Sequence, residues 1–130
     1  MIQKTENFIQ QEIVIWFNNN YCLSKHNPRC MILSIPNGGA RNSREGKTLK
    51  NTGLLPGASD LIVILPNNIL LIEVKTDTGI QSNCQISFME SVKKLGHHYY
   101  LVRSLDEFKN VLNPHLKSPP QSHNPLSNTL

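Results

Sequence analysis

Residues 57–75 read Gly-Ala-Ser-Asp-Leu-Ile-Val-Ile-Leu-Pro-Asn-Asn-Ile-Leu-Leu-Ile-Glu-Val-Lys, and this stretch decides the fold. Two apolar runs rich in β-branched residues, Leu61 to Leu65 and Ile69 to Val74, flank a Pro-Asn-Asn turn signal, so they read as a hairpin. Three charged residues, Asp60, Glu73 and Lys75, interrupt or border these runs. Charge in such a setting costs free energy unless it is paired, exposed at a strand end or bound to a metal. Side chains alternate along a strand, so Glu73 and Lys75 share a face. A Pro66-Asn67 loop sets Asp60 opposite Glu73; an Asn67-Asn68 loop sets it opposite Lys75. Either loop puts all three groups on one face at one end of the hairpin.

Outward from the hairpin, residues 6 to 18 have Phe8, Ile9, Ile13, Trp16 and Phe17 at helical spacing. Thr5 is the expected N-cap and the run Asn18-Asn19-Asn20 the expected end. Cys30 to Ile35 reads as a short strand stopped by Pro36. Residues 36 to 57 form a Gly- and Asn-rich connection, with a helical turn expected near Arg44 to Lys50. Ser82 to Leu95 reads as a helix closed by Gly96. Tyr99 to Val102 reads as a strand and Leu105 to Leu112 as a final helix. From Asn113 onward Pro, Ser and Asn dominate, and residues 113–130 read as a disordered tail. Deleting residues 114 to 130 is therefore expected to leave stability nearly unchanged. The sum is one α/β domain over residues 1–112, a small mixed sheet flanked by helices, in the order α-β-β-β-α-β-α.

At 130 residues the chain has room for a single domain. No apolar stretch approaches the roughly 18 residues of a membrane span, and the N-terminus has no apolar leader core. Three cysteines without a CxxC pair argue against a disulfide scaffold or structural zinc. An intracellular, cytoplasmic protein is expected. The net charge of +4 is concentrated: Lys25, Arg29, Arg41, Arg44, Lys47 and Lys50 stand against the single acid Glu45, and the rest of the chain is near neutral. Such a segment suits a polyanion or serves as a solubilising loop. Arg41, Arg44, Lys47 and Lys50, with Asn37, are the candidates for phosphate contact.

Two carboxylates and an ammonium at one sheet edge suit metal-assisted phosphodiester cleavage. The carboxylates hold a hard cation, Mg²⁺ or Mn²⁺, through oxygen. The cation orients the attacking water and offsets charge on the phosphate, and the lysine assists. The bland alternative is an ion pair between Lys75 and one carboxylate. Elsewhere, Trp16 and Phe17 read as core, and Tyr99 and Tyr100 point to opposite faces. His97, His98, Cys84 and Asp77 carry no strong signal for catalysis.

The order Gly57-Ala58-Ser59-Asp60, hairpin, Ile72-Glu73-Val74-Lys75 resembles the PD-(D/E)xK nuclease superfamily, and more narrowly its virus-type replication-repair nuclease (VRR-Nuc) domains. Ile35-Pro36-Asn37-Gly38-Gly39, the glycine-spaced lead-in from Leu49 to Gly57, and Gly79 with Ser82, Gln85 and Phe88 are similar to further segments of that family. The resemblance implies a restriction-endonuclease-like fold with Asp60 and Glu73 as metal ligands. The main-chain carbonyl of Val74 would be a further ligand, Lys75 the catalytic lysine, and Gln85 a glutamine behind the metal. It implies an acid on the first helix, with Glu6 and Gln10 fitting the family pattern and Glu12 as the rival. Ser59 stands where many relatives have proline. The implied activity is a Mg²⁺- or Mn²⁺-dependent, structure-selective DNA endonuclease acting on branched substrates, resembling the Holliday-junction resolvases and, like them, a homodimer. A catalytically silent DNA-binding module of the same fold is the alternative.

Overall fold

The computed structural model of the chain describes residues 3–36 and 50–117. Its elements are α1 (Glu6–Tyr21), β1 (Met31–Ser34), β2 (Leu61–Leu65), β3 (Asn68–Val74), α2 (Asn83–Lys94), β4 (His98–Val102) and α3 (Leu105–Leu116). The expected α-β-β-β-α-β-α order is what the chain adopts. The strands lie in one sheet in the order β1-β2-β3-β4, the first three antiparallel and β4 parallel to β3. A parallel pair needs a crossover, and α2 supplies it.

Leu65 pairs with Asn68 and Leu61 with Ile72, so the hairpin loop is Pro66-Asn67. Proline presets the first turn position, and Asn67, at φ 64°, takes the left-handed conformation asparagine tolerates. This register carries Asp60 to the position opposite Glu73.

The sheet separates two environments. Leu61, Val63 and Leu65 of β2 join Leu70, Ile72 and Val74 of β3 in the main core, with Ile9, Ile13 and Phe17 of α1 and Phe108 and Leu112 of α3. Phe17 meets Phe108 nearly edge-on, with ring centroids 6.1 Å apart. Trp16 also packs against Phe108, and the Lys109 ammonium lies 4.9 Å from its ring, which places Trp16 with the core. The opposite face of the sheet carries Glu73 and Tyr99 and is covered by α2, where Phe88 packs against Tyr99 and Val92 is buried.

Two helix ends differ from the sequence reading. The first helix runs through Asn18-Asn19-Asn20 to Tyr21, because Asn20 Nδ2 donates to Trp16 O at 2.8 Å and the Tyr21 ring packs on Phe17 at 5.2 Å. Local asparagine propensity yields to these contacts. The last helix does not stop at Leu112; it continues past Pro114 to Leu116. His115 is the reason: its Nε2 bonds Tyr100 Oη at 2.7 Å and its Nδ1 bonds Asn68 Nδ2 at 2.8 Å, while Leu116 packs on the core. The beginning of the assigned tail therefore belongs to the fold, and residues 118–130 lie outside the described residues. Deleting residues 114 to 130 is now expected to lower the melting temperature by about 5 °C or more, a loss of about 1 kcal/mol. Thermal unfolding of that truncation beside one ending at Lys117 checks this, and equal melting temperatures would contradict the role of His115.

Candidate functional site

The site is built at the end of β2 and β3 that faces away from the hairpin turn. Asp60 precedes β2 and is fixed twice: its N–H donates to Ile72 O at 3.0 Å, and its Oδ2 accepts from Val74 N at 2.7 Å. Glu73 is only 1 % exposed. The Lys75 N–H donates to Val102 O at 3.0 Å, and its side chain is nearly buried with Nζ 3.9 Å from Glu73 Oε2. Asp60, Glu73 and Lys75 therefore come together as the hairpin parity required.

Gln85 joins them through the start of α2. Ser82 caps the helix in a capping box: its Oγ accepts from Gln85 N at 3.2 Å, and its N–H donates to Gln85 Oε1 at 2.8 Å. With the amide oxygen committed to Ser82, the amide nitrogen is left to donate to Glu73 Oε2, at 2.9 Å. Glycine makes the close approach possible. Gly57 has φ +86°, and a Cβ there would collide with Cys84 O and lie 2.8 Å from Gln85 N. The loop before Asp60 thus lies directly on the peptide that carries Gln85.

Glu73 is electrostatically out of balance. Burial pushes its carboxyl up to about 8, helped by the Asp60 charge beside it, while Lys75 pulls the other way. Its Oε1 is buried and meets no donor among the described residues. A proton shared with Asp60, or a cation, is what satisfies that oxygen. Two oxygen-donor acids with an open lone pair fit a hard divalent ion, and the protein would supply two carboxylates here, because no three Asp, Glu, His or Cys converge among the described residues. Tyr99 lies behind the pair: burial, then the Glu73 charge, push its phenol up to about 12, and Gln81 Nε2 donates to its oxygen at 3.1 Å.

The remaining candidates are placed less closely. Glu6 is exposed in the first turn of α1, and its charge adds the smallest of the upward pushes on the Glu73 carboxyl. Glu12 bonds Lys4 at 3.1 Å instead. Gln10 is half-buried in a groove with Ile32, Leu33 and Ser34. Lys50 is exposed. Asn37, Arg41, Arg44 and Lys47, with most of the expected helical turn, lie outside the described residues. His98 pairs with Leu70 while Leu101 pairs with Glu73, which separates that histidine from the site by about 10 Å of strand.

Ser59, adjacent to Asp60, is fully buried and its hydroxyl has no partner among the described residues. An orphaned buried hydroxyl costs about 1 kcal/mol or more. Ser59→Ala is expected to raise the melting temperature by a few degrees, which differential scanning calorimetry would register; a fall would mean the hydroxyl is satisfied.

No protein-family model matches the sequence, and no curated protein matches it. Among solved structures, the chain is similar to a VRR_NUC domain protein with a TM-score of 0.71 over 90 % of this chain and 92 % of the other, at 19 % sequence identity. The fold is that of a VRR-Nuc domain, in agreement with the motif resemblance. Among the described residues, no helix is long and apolar enough to cross a membrane.

Proposed function

We propose that this chain is a metal-dependent DNA endonuclease of the VRR-Nuc type. The observation that carries the reading is the Asp60–Glu73 carboxylate pair, with Lys75 beside it and Glu73 Oε1 left without a donor among the described residues. Asp60, Glu73 and the main-chain carbonyl of Val74 would hold Mg²⁺ or Mn²⁺. Bound there, the cation supplies Lewis acidity toward the phosphate and orients a water.

The chain's own groups do the rest. Gln85 occupies one oxygen of Glu73 and keeps the other free. Asp60, tied to the Val74 N–H, holds its carboxylate against that of Glu73. Lys75 brings a positive charge to the phosphate, where negative charge grows as water adds. Water's oxygen joins phosphorus, one P–O ester bond breaks, and no covalent enzyme intermediate forms. The basic residues between Arg41 and Lys50 would contact the phosphate backbone. Branched DNA as substrate and a two-fold dimer rest on the sequence resemblance. A cytoplasmic setting fits the three free cysteines.

Cleavage of labelled single strands, duplex, flap, fork and four-way junction tests the reading. Cutting is expected with Mg²⁺ or Mn²⁺ and none with EDTA, with branched substrates preferred. Retained binding without cutting of any substrate would point instead to a silent DNA-binding module.

A further inference from the structure

Directly after Lys75 the chain makes a turn, closed by the Gly79 N–H donating to Thr76 O at 3.2 Å. Arg103, the residue after β4, closes its mouth. Its Nη1 donates to Thr76 O at 2.6 Å and to Gly79 O at 2.7 Å, with a longer 3.3 Å contact to Asp77 O. That nitrogen has two N–H bonds, so the two near carbonyls take one each and the third shares. Arg103 is itself anchored: its main-chain N–H donates to Glu107 Oε1 at 2.8 Å, and the Glu107 N–H donates to Ser104 Oγ at 3.0 Å in the first turn of α3.

The turn in its place lies on Lys75. A Cβ at Gly79 would stand 3.4 Å from Lys75 Cδ and 3.1 Å from Thr76 Oγ1. The Lys75 side chain is only 10 % exposed although the residue lies beyond the end of β3, and the turn is one of its neighbours. A free lysine stem samples many rotamers, and covering the stem removes most of them.

We propose that Arg103 is a positioning residue for Lys75: its guanidinium holds the Thr76–Gly79 turn closed over the lysine stem and so keeps the ammonium beside Glu73. The planar guanidinium suits this task, because its donors have fixed directions, whereas a lysine at position 103 would offer a point charge on a flexible chain. The effect on cleavage rests on the nuclease reading above; the effect on the lysine itself does not.

The test separates the two. Amine labelling of the metal-free protein, mapped by mass spectrometry, reads the Lys75 rate against Lys93 and Lys94, which are exposed on α2. Arg103→Met is expected to raise Lys75 labelling at least fivefold with Lys93 and Lys94 unchanged, and Arg103→Lys to raise it less. In cleavage, Arg103→Met should lower kcat at least tenfold with KM within twofold, and Arg103→Lys should restore part of kcat. Unchanged Lys75 labelling in both variants overturns the clamp, as does faster labelling with kcat intact. Should Arg103→Met fail to fold, Arg103→Lys decides by the same two readings. Should the wild type cut nothing, the nuclease reading fails and labelling alone decides whether Arg103 holds Lys75.

Discussion

Glu73→Gln is expected to lower cleavage by roughly a thousandfold or more while leaving DNA affinity nearly unchanged. The same substitution should raise the melting temperature of the metal-free protein at alkaline pH. The two effects share one cause. In the folded chain the Glu73 carboxyl is pushed up to about 8, first by burial and then by Asp60, from an ordinary value of 4.5. Between those two values the folded state binds the proton and the unfolded state does not. Stability from this group is therefore present at low pH and lost as pH rises toward 8. The neutral glutamine never meets that penalty, and a cation bound between the carboxylates would relieve it in the wild type. Melting curves from pH 5 to pH 9, with EDTA and with Mg²⁺, read both. The wild type in EDTA should fall relative to Glu73→Gln as pH rises, and Mg²⁺ should close most of the gap at pH 8. Parallel curves in EDTA would contradict the buried carboxylate pair, and full cleavage activity in the variant would remove Glu73 from the mechanism. Asp60→Asn should likewise abolish cleavage.

Gly57→Ala is the second large effect. The added methyl meets the Cys84 carbonyl carbon and oxygen as well as the Gln85 nitrogen, all main-chain atoms of a capped helix start, and the backbone there is left-handed. The cost should be on the order of 3 kcal/mol, or about 10 °C in melting temperature. Gly96 is the control: it too has a positive φ, of +88°, but nothing among the described residues stands within 4 Å of its would-be Cβ. Gly96→Ala then measures backbone strain alone, about 1 kcal/mol. A Gly57 variant no worse than the Gly96 variant would show that α2 can move aside freely. If α2 does shift, Gln85 leaves Glu73, and cleavage should fall more than stability alone explains.

How far the sequence reaches can be judged on these residues. The hairpin was legible because alternation and a Pro-Asn turn are local, and the same parity brought Asp60, Glu73 and Lys75 to one place. Gly96 was legible as a helix terminator for the same reason. Of the two registers left open, tertiary pairing selects the Pro66-Asn67 loop. The ends of α1 and α3 were misread because Tyr21 and His115 hold them through partners elsewhere in the fold, which outweigh the local signals of Asn18 to Asn20 and Pro114. Gly57 was visible only as one letter of a motif; its contact with Cys84 exists only after a helix has crossed the sheet. Arg103 had a weaker trace still, a lone arginine before a serine that caps a helix. Ser82 and Gln85 were likewise visible only as letters of a motif; that they form a capping pair, which fixes the amide facing Glu73, emerges only from the fold.

The spatial order of the strands repeats their order along the chain, and this bears on how the molecule assembles. No strand has to be threaded between two that are already paired. The two-residue connection between β2 and β3 has the smallest loop-closure entropy of any pairing in the sheet, and hairpins of this kind close in microseconds. The two acidic groups are thus brought opposite each other by the least costly pairing the chain can make. β4 can pair only once the whole crossover helix lies between it and β3, so Gln85, which bonds Glu73, and Arg103, which holds the turn after Lys75, depend on a longer closure. Loop length alone therefore predicts that the two acidic groups meet early in folding and that the residues around them follow with the last strand.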